Sequence, residues 1–265
     1  MILAIICMIA GGALIGAGFA SGGSWRYLSI SSESSWWPFH NESDNFSLGS
    51  MFSVTGENRE SWSQVVSEKK KVEINTSLGD IEVRKGDQPK VEFQNLYKDY
   101  VTIKETGSEL EIEVRYPNNL QLNHSNGKII VYLTQADYEL EIENDLGDIT
   151  VEHLTFQDLN VTSHLGDITL NDVETQECDI KQNSGDITAS GNFYHKTEIK
   201  NNLGDVKLDI DGNIDDYDYE LKSDLGDVKI GDISKSFSGK IESSRGKSNS
   251  IKITDNLGDI TVRFR

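Results

Sequence analysis

The sequence predicts an all-β protein, a single-stranded parallel β-helix or β-solenoid with rungs of about 19 residues. Three observations carry that expectation. A Leu-Gly-Asp corner, with Ser for Leu once, recurs seven times, at Gly79, Gly147, Gly166, Gly185, Gly204, Gly226 and Gly258. The three steps Gly147 to Gly166, Gly166 to Gly185 and Gly185 to Gly204 are equal. A fixed period of roughly 20 residues is what stacked coils write into a chain. On both sides of each corner the apolar residues stand two apart, the period of a strand with one buried face.

The N-terminus is a different material. Ile2 to Ala20 carry no charge and are long enough to cross a hydrocarbon core as a helix. Residues 1–20 are therefore expected to form one transmembrane anchor preceding the solenoid. A cleaved signal sequence ending near Gly18-Phe19-Ala20 is the alternative, and the lack of a basic residue ahead of the apolar stretch weakens both readings. The expected location is the cell membrane, single-pass, with the bulk of the chain outside a Gram-positive envelope. Residues 21–64 read as a linker, rich in Ser and Gly and without periodicity. Its aromatics (Trp25, Tyr27, Trp36, Trp37, Phe39, Phe46, Phe52, Trp62) suit either the headgroup level of a bilayer or a cap on the first rung.

Residues 65–265 form the repeat domain. Each rung reads as strand, Leu-Gly-Asp corner, strand, and a looser return with a third apolar position (Leu154, Val173, Phe193, Ile233). The apolar row of the first full rung is Leu140, Ile142, Leu146, Ile149 and Val151, and all five are expected in one dry interior. Two residues before the corner Leu stands Thr76, Asn144, Ser163, Gln182, Asn201, Ser223 or Asp255, each able to bond backbone groups that the corner leaves unpaired. The step from Gly79 to Gly147 is not a multiple of the repeat period. Within it Val91–Phe93, Val101–Lys104, Leu110–Arg115 and Lys128–Leu133 alternate well, so a partly antiparallel N-terminal cap is expected there. Toward the C-terminus the steps lengthen, modestly from Gly204 to Gly226 and more from Gly226 to Gly258. Within the second, Ser243-Ser244-Arg245-Gly246-Lys247 looks like a decayed corner that sets Lys247 beside the aspartates. The chain ends Arg263-Phe264-Arg265, whose charges would protect an exposed terminal edge.

Charge and cysteines narrow the function. Net charge is −19, and positions 1–64 hold two Arg against five Asp and Glu, so the repeat domain is strongly acidic. Nucleic acid is disfavoured as a partner, and cationic ligands or basic protein surfaces are favoured. Two cysteines, Cys7 and Cys178, cannot make a disulfide framework.

Candidate chemistry is sparse. On a regular stack Asp148, Asp167, Asp186, Asp205 and Asp227 form a column about 5 Å apart, repelling by roughly 1 kcal/mol per solvated neighbour. Hydrogen bonds from corner amides are the favoured compensation, with a column of divalent-cation sites as the alternative. Asp215-Asp216 is the only Asp-Asp pair, and no suitably spaced partner makes it a glycosidase acid pair. His40, His124, His153, His164 and His195 show no metal or triad spacing. No catalytic residue and no cofactor is expected.

The corner Asn144-Asp145-Leu146-Gly147-Asp148-Ile149-Thr150-Val151, repeated behind a membrane segment and a long linker, resembles the bacterial "putative adhesin" domain family of Firmicute envelope proteins. One branch of that family is similar in layout to the membrane-anchored member of the Lia cell-envelope stress operon. The resemblance covers roughly residues 65 to 265. It implies a non-catalytic surface solenoid, membrane-held through residues 2–20, acting in adhesion or envelope binding on an unidentified envelope protein or cationic ligand. A regulatory partner in an envelope stress-response system is the alternative it offers.

Overall fold

The computed structural model describes residues 59–117, 127–134 and 137–265. Pro117 apart, they belong to one compact unit, Glu57–Tyr116 with Ser125–Arg265. The expected anchor at Ile2–Ala20, the linker aromatics before Arg59, His40 and His124 lie outside the described residues. No helix among the described residues is long and apolar enough to cross a membrane.

The fold is all-β. At the N-terminal end come β1 (Glu60–Val65), β2 (Lys71–Thr76), β3 (Asp80–Lys85), β4 (Lys90–Leu96), β5 (Val101–Thr106), β6 (Glu109–Val114) and β7 (Lys128–Leu133). The middle holds β8 (Tyr138–Leu146), β9 (Ile149–Glu152), β10 (Thr155–Leu165), β11 (Ile168–Ser184), β12 (Ile187–Leu203) and β13 (Val206–Ile210). The C-terminal end holds β14 (Tyr217–Ser223), β15 (Val228–Ile230), β16 (Ile233–Lys235), β17 (Lys240–Ser243), β18 (Asn249–Leu257) and β19 (Ile260–Phe264).

These strands line two main faces that meet at the Leu-Gly-Asp corners. Before the corner the spatial order is β5-β6-β2-β8-β10-β11-β12-β18-β14-β17, parallel except at its two outer strands. After the corner it is β1-β4-β7-β3-β9-β11-β12-β13-β19-β15-β16, parallel from β7 to β15. β11 and β12 run 17 residues each, bending through two faces and adding a short third side where Glu174 and Thr175 pair with Asn192 and Phe193. The looser return is thus itself strand in those rungs. Inward positions alternate along every rung as expected: Ile142, Ile149, Val151, Leu159, Ile168, Leu170, Ile180, Ile187 and Ile199 are all buried. Leu154, Val173 and Phe193 close the third side from within, while Ile233 stands half exposed in β16.

Both ends are built by threading. After β3 the chain makes an outermost, reverse-running rung from β4 and β5, then slips β6 and β7 between that rung and β2–β3. The expected antiparallel N-terminal cap is this device. At the other end β16 and β17 form the reverse-running outer rung, and β18–β19 slip between β12–β13 and β14–β15. The last repeat in sequence is therefore not last in space. β19 pairs on both edges, which corrects the expectation that Arg263-Phe264-Arg265 guards an open edge. Arg265 instead bonds Asp211, Nε to Oδ1 at 2.6 Å. β1 begins inside the stretch read as linker, and its Trp62 stacks on Phe93 with centroids 4.7 Å apart, so that aromatic serves as a cap.

Candidate functional site: the Leu-Gly-Asp edge

The corner is a set of three columns running the length of the stack. Its glycines follow the order Gly79, Gly147, Gly166, Gly185, Gly204, Gly258, Gly226, as the ladder of corner hydrogen bonds records. At Gly147, Gly166, Gly185 and Gly204 φ lies between 131° and 138°, a region that side chains rarely enter. An added Cβ there would stand 2.2, 2.1, 2.0 and 2.0 Å from the carbonyl oxygen of the preceding glycine in the stack. Glycine is thus needed both for the bend and for rung-to-rung contact.

Aspartates form the second column. The backbone N–H of each donates to Oδ1 of the aspartate one rung away: Asp148 to Asp80 (3.0 Å), Asp167 to Asp148 (2.9 Å), Asp186 to Asp167 (2.9 Å), Asp205 to Asp186 (2.8 Å), Asp259 to Asp205 (3.0 Å) and Asp227 to Asp259 (2.8 Å). The N–H of Phe237 closes the ladder on Asp227 Oδ1 at 3.0 Å. A charge-assisted bond contributes roughly 1.5–3 kcal/mol, more than the ~1 kcal/mol repulsion between solvated neighbours, so the column holds together without a counter-ion. Two expectations need correcting. Asp259 stands between Asp205 and Asp227, and Asp80 extends the column at the other end. Both follow from the threading. Lys247 is not beside the column either: the Ser243–Lys247 segment wraps Asp218, whose carboxylate accepts from the N–H groups of Arg245, Gly246 and Lys247.

Inside the bend lies the third column, Thr76, Asn144, Ser163, Gln182, Asn201, Asp255 and Ser223, all at most 5% exposed. Its members turn donors on corner carbonyls as expected. Asn144 Nδ2 donates to Gly79 O and Gly147 O, Asn201 Nδ2 to Gly204 O (2.7 Å), and Ser223 Oγ to Gly258 O (2.9 Å). Two members depart from this: Ser163 Oγ has no partner, and Asp255 donates to no corner carbonyl. Asp255 is fully buried, accepts from the N–H of Leu257 through Oδ1, and leaves Oδ2 without a partner, next in register to Asn201, whose Oδ1 is also unpartnered. Burial pushes its carboxyl up to about 7, with Asp205 and Asp259 adding to the effect.

The leucines overturn a prediction. Leu146 and Leu165 pair in register, as do Leu203 and Leu257, but Leu146, Leu165 and Leu203 are 45%, 49% and 49% exposed. The concave side of the bend holds only the small polar residue and the glycine contact, so the leucine turns to the convex side. Seven rungs thus show an outer ridge of Leu78, Leu146, Leu165, Ser184, Leu203, Leu257 and Leu225 in stack order. Aspartates flank it on one side. On the other, His164 Nδ1 lies 2.8 Å from Asp145 Oδ1, a contact that raises the histidine's pKa. Further along, Asn202 donates to Asn183 and Asn256 to Asn202.

The remaining candidates are dispersed. Asp215 pairs with Arg245 at 2.8 Å on an exposed turn, and His153 pairs with Asp172 at 3.1 Å. Cys178 is buried, which pushes its thiol up to about 12. Among the described residues no three His, Cys, Asp or Glu side chains come together so as to hold a metal ion. The depressions are open and shallow; one is lined by His153, Leu154, Thr155, Asp172 and Glu174.

No curated protein matches the chain. Among solved structures it is similar to a "putative cell adhesion protein" from Clostridium sporogenes ATCC 15579, with 16% identity over 78% of this chain and 100% of that one and a TM-score of 0.48. It is also similar to a "putative adhesin" from Bacteroides fragilis NCTC 9343, with 12% identity, 78% and 98% coverage and a TM-score of 0.38. A "putative adhesin" from Parabacteroides merdae ATCC 43184 gives 11%, 78%, 95% and 0.32. The model of the family described as Toastrack DUF4097 matches residues 40–263, most of the chain, and the protein belongs to that family.

Proposed function

We propose that this is a non-catalytic binding module of the cell envelope, held to the membrane through residues 2–20, that engages its partner along the Leu-Gly-Asp edge. One observation carries the reading: the corner requires the glycine and uses the aspartate, yet it forms without the leucine. Ser184 occupies the same position and still accepts the corner bond from Gly166 N–H at 3.1 Å. Leucine nonetheless stands at the other six corners, and three of them leave nearly half the side chain in water. Regularly spaced apolar groups between polar columns form a contact surface, since contiguous exposed apolar area in a soluble fold marks an interaction site. An acidic flank selects a partner carrying cations.

The test is a triple substitution, Leu146→Ser, Leu165→Ser and Leu203→Ser, in the full chain. The melting temperature is expected to stay within a few degrees, while binding to isolated envelopes falls tenfold or more. Undiminished envelope binding by the triple variant refutes the edge as the contact surface. Removing residues 2–20 is expected to release the chain from the membrane fraction.

A further inference from the structure

The two ends of the stack are finished differently. At the N-terminal end the outer rung carries an added strand, β1, whose Trp62 lies over Phe93, and Tyr97, Tyr100 and Tyr116 pack edge to face beside it at 5.6–6.3 Å. At the C-terminal end the outer rung is β16 and β17 alone. Every residue of β16 is exposed. Ile233, though opposite the buried Ile230 in the ladder, is 48% exposed, and Phe237 is 78% exposed, more than any other large apolar side chain described.

Phe237 is held where it is. Its N–H donates to Asp227 Oδ1 at 3.0 Å, and the Ser236 hydroxyl lies 3.4 Å from Asp227 Oδ2. Phe237 and Ser238 both adopt left-handed φ, 56° and 65°, which costs about 1–3 kcal/mol per side-chain-bearing residue. A fixed, costly exposure of a phenylalanine at an uncapped end calls for a cover, because terminal rungs of a solenoid need one.

We propose that this end binds the same end of a second copy of the chain, tail to tail about a two-fold axis. Such contacts are isologous, so the surface must complement itself, and β17 does. Its outward residues are Lys240 and Glu242. With the axis at Ile241, antiparallel pairing of two β17 edges displaces the Lys235 ammonium from Lys240 O and sets Lys240 opposite Glu242 of the other copy, twice. The charge balance agrees: the outer rung from Ile233 to Ser243 carries two Lys against one Glu, in a chain of net charge −19. Lateral contact along the aspartate column is repelled, whereas this end presents only the column's last member, Asp227, already bonded to Phe237 and Ser236. Joined edges would also bury Ile233 and Phe237 of both copies. β16 and β17 span only about 10 and 13 Å, so each copy buries less than the ~800 Å² of a standard interface. The dimer is accordingly weak in solution, on the order of 10 μM, and is favoured where chains are concentrated on a membrane. The inference is independent of what the leucine edge binds.

Sedimentation velocity of the full chain in mild detergent, over a hundredfold concentration range, tests it. A monomer–dimer equilibrium is expected. Phe237→Asp should weaken it at least tenfold, and Glu242→Lys should do the same by placing lysines face to face. The exchange Lys240→Glu with Glu242→Lys should restore the wild-type constant within about threefold, since Lys at 242 again meets Glu at 240 and keeps Glu220 as a neighbour. Melting curves of each variant separate lost association from lost folding. A monomer at every concentration, open-ended polymers, or a dimer indifferent to all these substitutions would each overturn the proposal.

Discussion

Replacing Asp255 with Asn should make the protein more stable and remove a defined part of its pH dependence. The side chain is wholly buried, in a column whose neighbours Asn201 and Ser223 each donate to a corner carbonyl. A carboxylate can only accept, so Asp255 fits that role only when protonated. Burial accordingly holds its carboxyl at about 7 against an ordinary 3.8. The sign follows from proton binding. Between those values the folded state keeps the proton and the unfolded state has lost it, so stability is intact below the unfolded pKa and declines as pH rises to the folded one. At about 1.4 kcal/mol per pH unit the decline is on the order of 4 kcal/mol, complete a little above pH 7. The assay is urea unfolding of wild type and Asp255→Asn at pH steps from 4 to 8. The stability difference should grow in favour of the variant up to pH 7 and then level off. Parallel curves, or a variant less stable at pH 8, would refute the assignment of a buried neutral acid.

Three further outcomes follow from the corner and the core. Gly166→Ala puts a Cβ 2.1 Å from Gly147 O at φ 137° and should cost at least about 3 kcal/mol. Gly107→Ala has no atom within 4 Å, and should cost about 1 kcal/mol; equal losses of melting temperature would contradict the close rung contact. Millimolar calcium should leave the melting temperature unchanged, because each Oδ1 of the aspartate ladder from Asp80 to Asp227 already accepts a backbone N–H. A rise of several degrees would mean that the column binds cations. In a Cys7→Ser chain, Cys178 should react with a thiol reagent at pH 8 only after denaturation, since its buried thiol is pushed up to about 12; rapid labelling of the folded chain would contradict that burial.

The rung length, the strands and the polar column were legible because each depends on local pattern: period-two burial around a Gly-Asp bend that tolerates no other residue. Rung order was not. The lengthened steps from Gly204 to Gly226 and from Gly226 to Gly258 give the size of an excursion without saying which neighbour it returns to. A clue lay in the residue before the leucine, which is Asn at 202 and 256 and Asp at 224, with Asn183 before Ser184; the hydrogen-bonded asparagines are the adjacent rungs. Corner leucines misled because alternation continues to number them as inward after the chain has begun to turn. The N-terminal threading was hidden because the rung made by β6 and β7 has no Leu-Gly-Asp, and Gly127 alone supplies the carbonyl that Asp80 N–H needs. Asp255 reads in sequence as one more polar corner residue, and what sets it apart from equally buried neighbours is that there the burial falls on an ionisable group.

Whether the final repeat is threaded into the stack can be read from a pair of disulfides. Lys207 lies opposite Thr261, and Thr261 lies opposite Lys229, so cysteines at 207 and 261 stand one ladder step apart, about 4.8 Å, within bridging range. Cysteines at 207 and 229 stand two steps apart and cannot be bridged. Oxidation is expected to crosslink Lys207→Cys/Thr261→Cys quantitatively and Lys207→Cys/Lys229→Cys not at all. The opposite pattern would mean that the rungs stack in sequence order, and the ladder from Asp205 through Asp259 to Asp227 would not exist.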